Sequence, residues 1–230
     1  MDCCEGMEVK VSVVIPCYNQ AHWLSEAIES ALAQTYPVEV VVVNDGSPDN
    51  TSEVALRYPV TLVEKPNGGL SAARNSGIKQ ATGELILPLD SDDTIEPTYI
   101  EKAVPLLKDD VRIVNCWQHE FGDYDRVTPL GRVDSVYDII RGNKVVCCSL
   151  YRKADWKRAG GYDEAMRLGY EDWEFWIRML KPGGRVETIP EPLFNYRKHG
   201  RERYSTTSAP STSASIGDGF CTLFLVHRLR

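Results

Sequence analysis

The chain has 230 residues, a net charge of -7, 43% hydrophobic and 26% charged side chains. That length can bury a core without disulfides or a structural metal. The acidic balance argues against nucleic acid as the main partner, because phosphate contacts need clustered lysine and arginine.

Residues 11–16 form a short, mostly apolar run that predicts a strand. Over 21–34 the apolar residues Leu24, Ala27, Ile28, Ala31 and Leu32 recur at helical spacing. Residues 38–43 are valine at all but one position, which suits a strand buried on both faces of a parallel sheet. A short helix over 49–57, a strand over 60–64 after Pro59, a helix over 70–81 and a strand over 84–89 follow. This alternation predicts an open α/β sheet with right-handed crossovers and ligands at the carboxyl ends of its strands. The second half reads as a helix over 96–107 ended or kinked at Pro105, a strand over 111–116 and a stretch over 144–150. A helix over 153–159, an aromatic-rich helix over 171–180 and two short strands over 185–189 and 193–197 complete it.

After Tyr204 the composition turns to serine, threonine, alanine and proline, which predicts a flexible tail over 204–230. The last residues, 220–230, are apolar and then basic, a pattern that also suits contact with a membrane surface or a partner. No run approaches the roughly 18 apolar residues of a membrane span, and the acidic N-terminus has no signal-peptide pattern. The seven cysteines, Cys3, Cys4, Cys17, Cys116, Cys147, Cys148 and Cys221, have no Cys-x-x-Cys spacing. They read as reduced thiols of a cytosolic protein rather than a disulfide framework or zinc site.

Three polar turns end predicted strands: 16–19, 44–47 and 90–93. Asp90, Asp92 and Asp93 lie so close that they repel one another unless a cation shares them. Oxygen ligands suit Mg²⁺ or Mn²⁺; an acidic turn capping the following helix is the other reading. Asp45 before Gly46 reads either as a turn residue or as an acceptor for a base or ribose. The segment 65–75 joins a glycine turn to a helix start, whose N–H groups suit an anion, and Arg74 sits on that helix as a ligand contact or an ion-pair residue. Glu171 and Asp172 open a helix, as dipole-favoured caps or as a general base. Trp173 and Trp176 read as core or as a sugar-stacking surface. His199 alone is weak evidence for a metal ligand.

In order, the segments 11–19, 43–49, 69–75, 89–93, 160–163, 171–173 and 196–199 resemble family 2 glycosyltransferases, the inverting group with the GT-A fold. The resemblance spans about 10–200. It implies an α/β, Rossmann-like GT-A fold with a mixed, mostly parallel sheet. It implies a glycosyltransferase domain over 10–203, with a nucleotide-binding half about 10–95 and an acceptor half about 96–203, after an extension over 1–9. Pro16, Tyr18, Asn19, Asp45, Gly46, Asn67, Arg74, Asp90 and Ser91 would bind the nucleotide of a sugar donor, usually a UDP-sugar. Asp92, Asp93 and His199 would hold Mn²⁺ or Mg²⁺ on the diphosphate, and Asp172, beside Glu171, would be the catalytic base. The expected acceptor is a saccharide or lipid-linked hydroxyl in polysaccharide or glycoconjugate synthesis, handled in the cytoplasm or at the cytoplasmic face of a membrane. A catalytically weak partner subunit of a polysaccharide-assembly complex is the alternative. A nucleotidyltransferase ranks below both, because 16–20 lacks the glycine-rich loop with arginine and lysine that such an enzyme needs.

Overall fold

The computed structural model describes residues 9–167 and 169–198. The predicted tail, most of the N-terminal extension and His199 lie outside those residues. In chain order the elements are β1 (Val11–Cys17), α1 (Ala21–Leu32), β2 (Val38–Asn44), α2 (Thr51–Ala55), β3 (Thr61–Glu64), α3 (Leu70–Gln80) and β4 (Leu85–Pro88). Then come β5 (Thr94–Ile95), α4 (Tyr99–Ala103), β6 (Val111–Gly122), β7 (Arg126–Thr128), β8 (Leu150–Arg152), α5 (Lys153–Ala159), α6 (Glu171–Leu180) and β9 (Arg185–Lys198).

The strands form one sheet in the order β3-β2-β1-β4-β8-β6-β9-β5, with β7 beside β6. β3, β2, β1 and β4 are parallel, as the valine-rich runs predict. β8 reverses direction between β4 and β6, and β6 and β9 run parallel along their length. The sheet is therefore mixed and mostly parallel.

Strand side chains alternate between faces. Val13, Ile15, Val40, Val42 and Leu87 meet the apolar stripe of α1, Leu24, Ala27, Ile28 and Ala31. Val14, Val41, Val43 and Ile86 pack in a second cluster with Ala73 and Ile78 of α3 and Phe175 and Trp176 of α6. The approach of α3 is close: a Cβ on Gly77 would lie 2.4 Å from Val14 Cγ1 and 2.7 Å from Val43 Cγ2. Among the described residues no helix is long and apolar enough to cross a membrane.

Three elements differ from the sequence expectation. The helix expected over 96–107 is only α4, followed by a 3-10 turn at Val104–Leu106. Proline at 105 removes an N–H, and Glu96 precedes Pro97, which disfavours helical backbone at 96. β6 runs on to Gly122 rather than stopping near 116. The two strands expected around Pro190 and Pro192 are one, β9. β5 covers its outer side only at Phe194 and Asn195, so the prolines face no second ladder, and register shifts on β6 at Cys116 to Gln118 absorb the irregularity.

Candidate active site

The parallel strands β1, β2 and β4 point their carboxyl ends to one side of the sheet: Cys17 ends β1 opposite Asn44, and β4 ends earlier, with Pro88 opposite Val14. Beyond them lies a cavity of about 310 Å³. Of the residues expected to bind a nucleotide, Pro16, Tyr18, Asp45, Asn67, Asp90 and Ser91 line it, together with Asp92. Asn19 and Gly46 shape its backbone. Asn19 takes the left-handed conformation, φ 55°, which asparagine tolerates, and its N–H donates to Ser47 Oγ at 3.2 Å. Gly46 has φ 69°, and a Cβ there would lie 2.7 Å from the Asn67 nitrogen, so the 65–67 backbone crosses where any other residue would project.

Asp45 is buried and accepts hydrogen bonds from the N–H groups of Gly68, 3.0 Å, and Gly69, 2.8 Å, and from the Lys65 ammonium. It thus ties the glycine turn to the end of β2 and sets the start of α3. Gln20, which sequence reasoning passed over, ties the acidic loop to the β1 turn. Its Nε2 donates to Asp92 Oδ2 at 3.2 Å, and its Oε1 accepts from Ser91 Oγ at 2.7 Å.

Asp92 and Asp93 are buried. Asp93 Oδ1 accepts the Arg197 N–H at 2.8 Å, while its Oδ2 is buried without a hydrogen-bond partner. Burial, and then Asp90, hold the Asp93 carboxyl well above its ordinary pKa. Ligand atoms of Asp90, Asp93 and Cys147 come within 4.8 Å of one another. Two adjacent carboxylates with one orphaned oxygen fit a divalent cation, and oxygen donors suit Mg²⁺ or Mn²⁺. The Cys147 thiol is neutral, its pKa raised by burial and then by Asp90 and Asp93.

Arg197 secures this loop. Its Nε donates to the Asp92 carbonyl at 2.8 Å, and its guanidinium lies 3.9 Å from the Trp23 ring centroid and 4.4 Å from that of Phe121, with Glu26 as ion partner. The clasp joins α1, β6 and β9 at the acidic turn.

A second cavity, about 550 Å³, opens on the β6–β9 side. Asp90 and Arg74 line it, together with Glu171, Asp172 and Asn143, so Asp90 borders both cavities. Arg74, expected beside the nucleotide, is not among the residues lining the first cavity. It is 1% exposed and spans two carboxylates, Asp90 at 2.7 Å and Glu171 at 2.7 Å. Burial opposes its charge, but Asp90 and Glu171 more than offset that. Sequence reasoning offered an ion pair as the other reading of Arg74, but the partner Glu171 is far away along the chain.

Asp172 accepts a hydrogen bond from Asn143 Nδ2 at 3.0 Å. Burial, then the charge of Glu171, push its carboxyl up to about 6, against the lowering pull of Arg74. Asn143 lies in an irregular stretch with no sequence signal of a role. Trp173 and Trp176 are both core: Trp176 is fully buried, and Trp173 donates its Nε1–H to the Ile139 carbonyl at 2.7 Å.

The model of glycosyl transferase family 2 matches residues 12–169. An uncharacterized glycosyltransferase of Rickettsia typhi is 33% identical over 212 residues, covering 85% of this chain and 66% of the relative. One from Rickettsia felis is 36% identical over 192 residues, covering 74% of this chain and 31% of the relative. The chain thus spans between about a third and two thirds of the length of these curated relatives. The crystal structure of Staphylococcus aureus TarS 1–349 with UDP-GlcNAc superposes with a TM-score of 0.74 at 24% identity, covering 87% of this chain and 62% of that one. The mannosyltransferase PcManGT of Pyrobaculum calidifontis, in complex with GDP-Man and Mn²⁺, gives 0.67 at 24% identity over 86% of this chain and 59% of that one. At that identity the structural likeness establishes the shared GT-A fold.

Proposed function

Because the chain belongs to glycosyl transferase family 2, we propose that it transfers a sugar, with inversion, from a nucleotide-diphosphate donor to an acceptor hydroxyl. The observation that carries this reading is the meeting of two cavities at Asp90, one at the strand ends and one holding Asp172. The first suits a nucleoside diphosphate, since Tyr18 offers a ring and Asn67, Ser91 and Asp45 offer polar groups. UDP-sugars are the first candidates, in keeping with the UDP-GlcNAc complex of TarS. The domain of this reaction is residues 10–203.

Asp90 and Asp93, whose ligand atoms lie within 4.8 Å of each other, would hold a divalent cation, with Asp92 and His199 as the further ligands expected from the sequence; the cation would neutralise charge on the diphosphate as it leaves. In the second cavity Asp172 takes the proton of the acceptor hydroxyl while that oxygen attacks the anomeric carbon. The bond from that carbon to the diphosphate oxygen breaks with its electron pair, and nucleoside diphosphate departs. One displacement inverts the anomeric centre. A carboxylate of pKa about 6 suits this work, because it is largely ionised at neutral pH yet basic enough to share a proton. Asn143 orients it, and the opposing charges of Glu171 and Arg74 tune its basicity.

The reading is tested by calorimetric titration with UDP and with GDP, in Mn²⁺ or EDTA, on wild type and Asp92→Ala. One nucleotide is expected to bind in Mn²⁺ and to weaken strongly in EDTA and in the variant. Binding of neither nucleotide would sink the transferase reading in favour of a partner subunit.

A further inference from the structure

The residue two places before Asp172, which leads into α6, has a left-handed backbone. Tyr170 has φ 65° and ψ 12°, the left-handed region that is costly for a bulky side chain such as tyrosine. Gly169 before it, at φ 96°, bears such a conformation freely. Strain of this kind persists only where its surroundings hold it, and it gathers at ligand sites. Here the Tyr170 carbonyl accepts the Glu174 N–H at 3.0 Å. The ring meets Trp173 at 6.1 Å and 61°.

That edge-on contact leaves at least one face of the tyrosine ring uncovered, and the residue is 50% exposed. Tyr170 lines the second cavity, whose wall also carries Gln118, Asn143, Lys144 and Asp172. Trp173 and Trp176, the aromatics that suggested sugar stacking in the sequence, are buried. Of the aromatic residues lining this cavity, Phe194 is buried, Tyr196 is partly buried, and Tyr170, two residues from Asp172, is exposed. An open aromatic face bordered by amide, ammonium and carboxylate groups recognises a pyranose: C–H bonds lie on the ring, and hydroxyls meet the polar rim.

Resting on the transferase reading above, we propose that the acceptor is a saccharide whose pyranose ring stacks on Tyr170 and thereby brings a hydroxyl to Asp172. The strained backbone is the means by which the ring is held against the cavity instead of folding away from it.

Saturation-transfer NMR reads this contact without turnover. The probes are methyl β-D-glucopyranoside, methyl β-D-galactopyranoside and methyl N-acetyl-β-D-glucosaminide, with UDP and Mn²⁺ present. At least one glycoside is expected to receive saturation on its ring protons from the wild type. Tyr170→Gly is expected to weaken that binding about tenfold, while Tyr170→Trp retains it. Tyr170→Gly is also expected to melt no lower than wild type, because glycine relieves the strain. Equal glycoside binding by Tyr170→Gly and wild type overturns the proposal. So does a wild type that binds none of the three probes, or a Tyr170→Gly protein that melts well below it. Nucleotide binding without glycoside binding overturns the stacking proposal alone. Glycoside binding without nucleotide binding overturns the transferase reading, and the acceptor assignment with it.

Discussion

Replacing Glu171 with glutamine is expected to move the acidic limb of the rate profile. Asp172 is raised from 3.8 to about 6, first by burial and then by the charge of Glu171, which lies beside it on α6. Only the ionised form accepts a proton, so kcat/KM rises with pH through about 6. Between pH 7 and pH 5 the ionised share falls from about nine-tenths to about one-tenth, a drop in rate of roughly tenfold. Glutamine keeps the oxygen that Arg74 Nη1 donates to at 2.7 Å but removes the charge. Arg74 then lowers Asp172 with less opposition, and the limb moves to lower pH. It does not reach 3.8, because burial, the larger cause, remains. The assay is release of nucleoside diphosphate at saturating metal from pH 4.5 to 8. A limb that stays near 6 in Glu171→Gln, or a wild type whose rate is flat down to pH 4.5, would refute the assignment. The same displacement bears on stability. A raised carboxyl favours the fold while protonated and loses that benefit as pH rises from 3.8 through about 6, at most about 3 kcal/mol. Asp172→Asn is therefore expected to lose transfer and to melt higher at pH 7.

Arg74→Met leaves Glu171 and Asp90 without their buried cation, at about 3–5 kcal/mol by urea denaturation; adding Glu171→Gln is expected to recover part of that loss. Arg197→Ala removes the clasp on the acidic loop, and the Mn²⁺ concentration for half-maximal activity is expected to rise about tenfold or more. Gly46→Ala places a Cβ 2.7 Å from the Asn67 nitrogen at a positive φ, costing about 1–3 kcal/mol. Thermal melts, at about 2–4 °C per kcal/mol for a chain of this size, measure the last of these.

The parallel half of the fold was legible because β1, most of β2, and β4 are buried on both faces and read as nearly continuous runs of valine, isoleucine and leucine. The turns at 16–19, 44–47 and 90–93 were legible because each follows such a run. The other half was harder. Gln118, His119 and Glu120 make the distal part of β6 polar, so its true length did not register. Pro190 and Pro192 read as breaks, since nothing local says that β5 leaves that part of β9 uncovered. The site was legible as a set of carboxylates but not as a circuit. Arg74 joins Asp90 to Glu171, and Asn143 reaches Asp172, through contacts that only the closed sheet creates. The exposure of Tyr170 and the burial of Trp173 were equally out of reach, because helical spacing does not say which of two neighbouring aromatics faces the core.

The most direct measurement is release of nucleoside diphosphate from a panel of UDP- and GDP-sugars, with methyl glycosides present, in Mn²⁺, Mg²⁺ or EDTA. Wild type is compared with Asp172→Asn. The account predicts metal-dependent release from one donor class, abolished by EDTA and lost in the variant. Release that is indifferent to EDTA or to the variant, or no release from any donor, would contradict it.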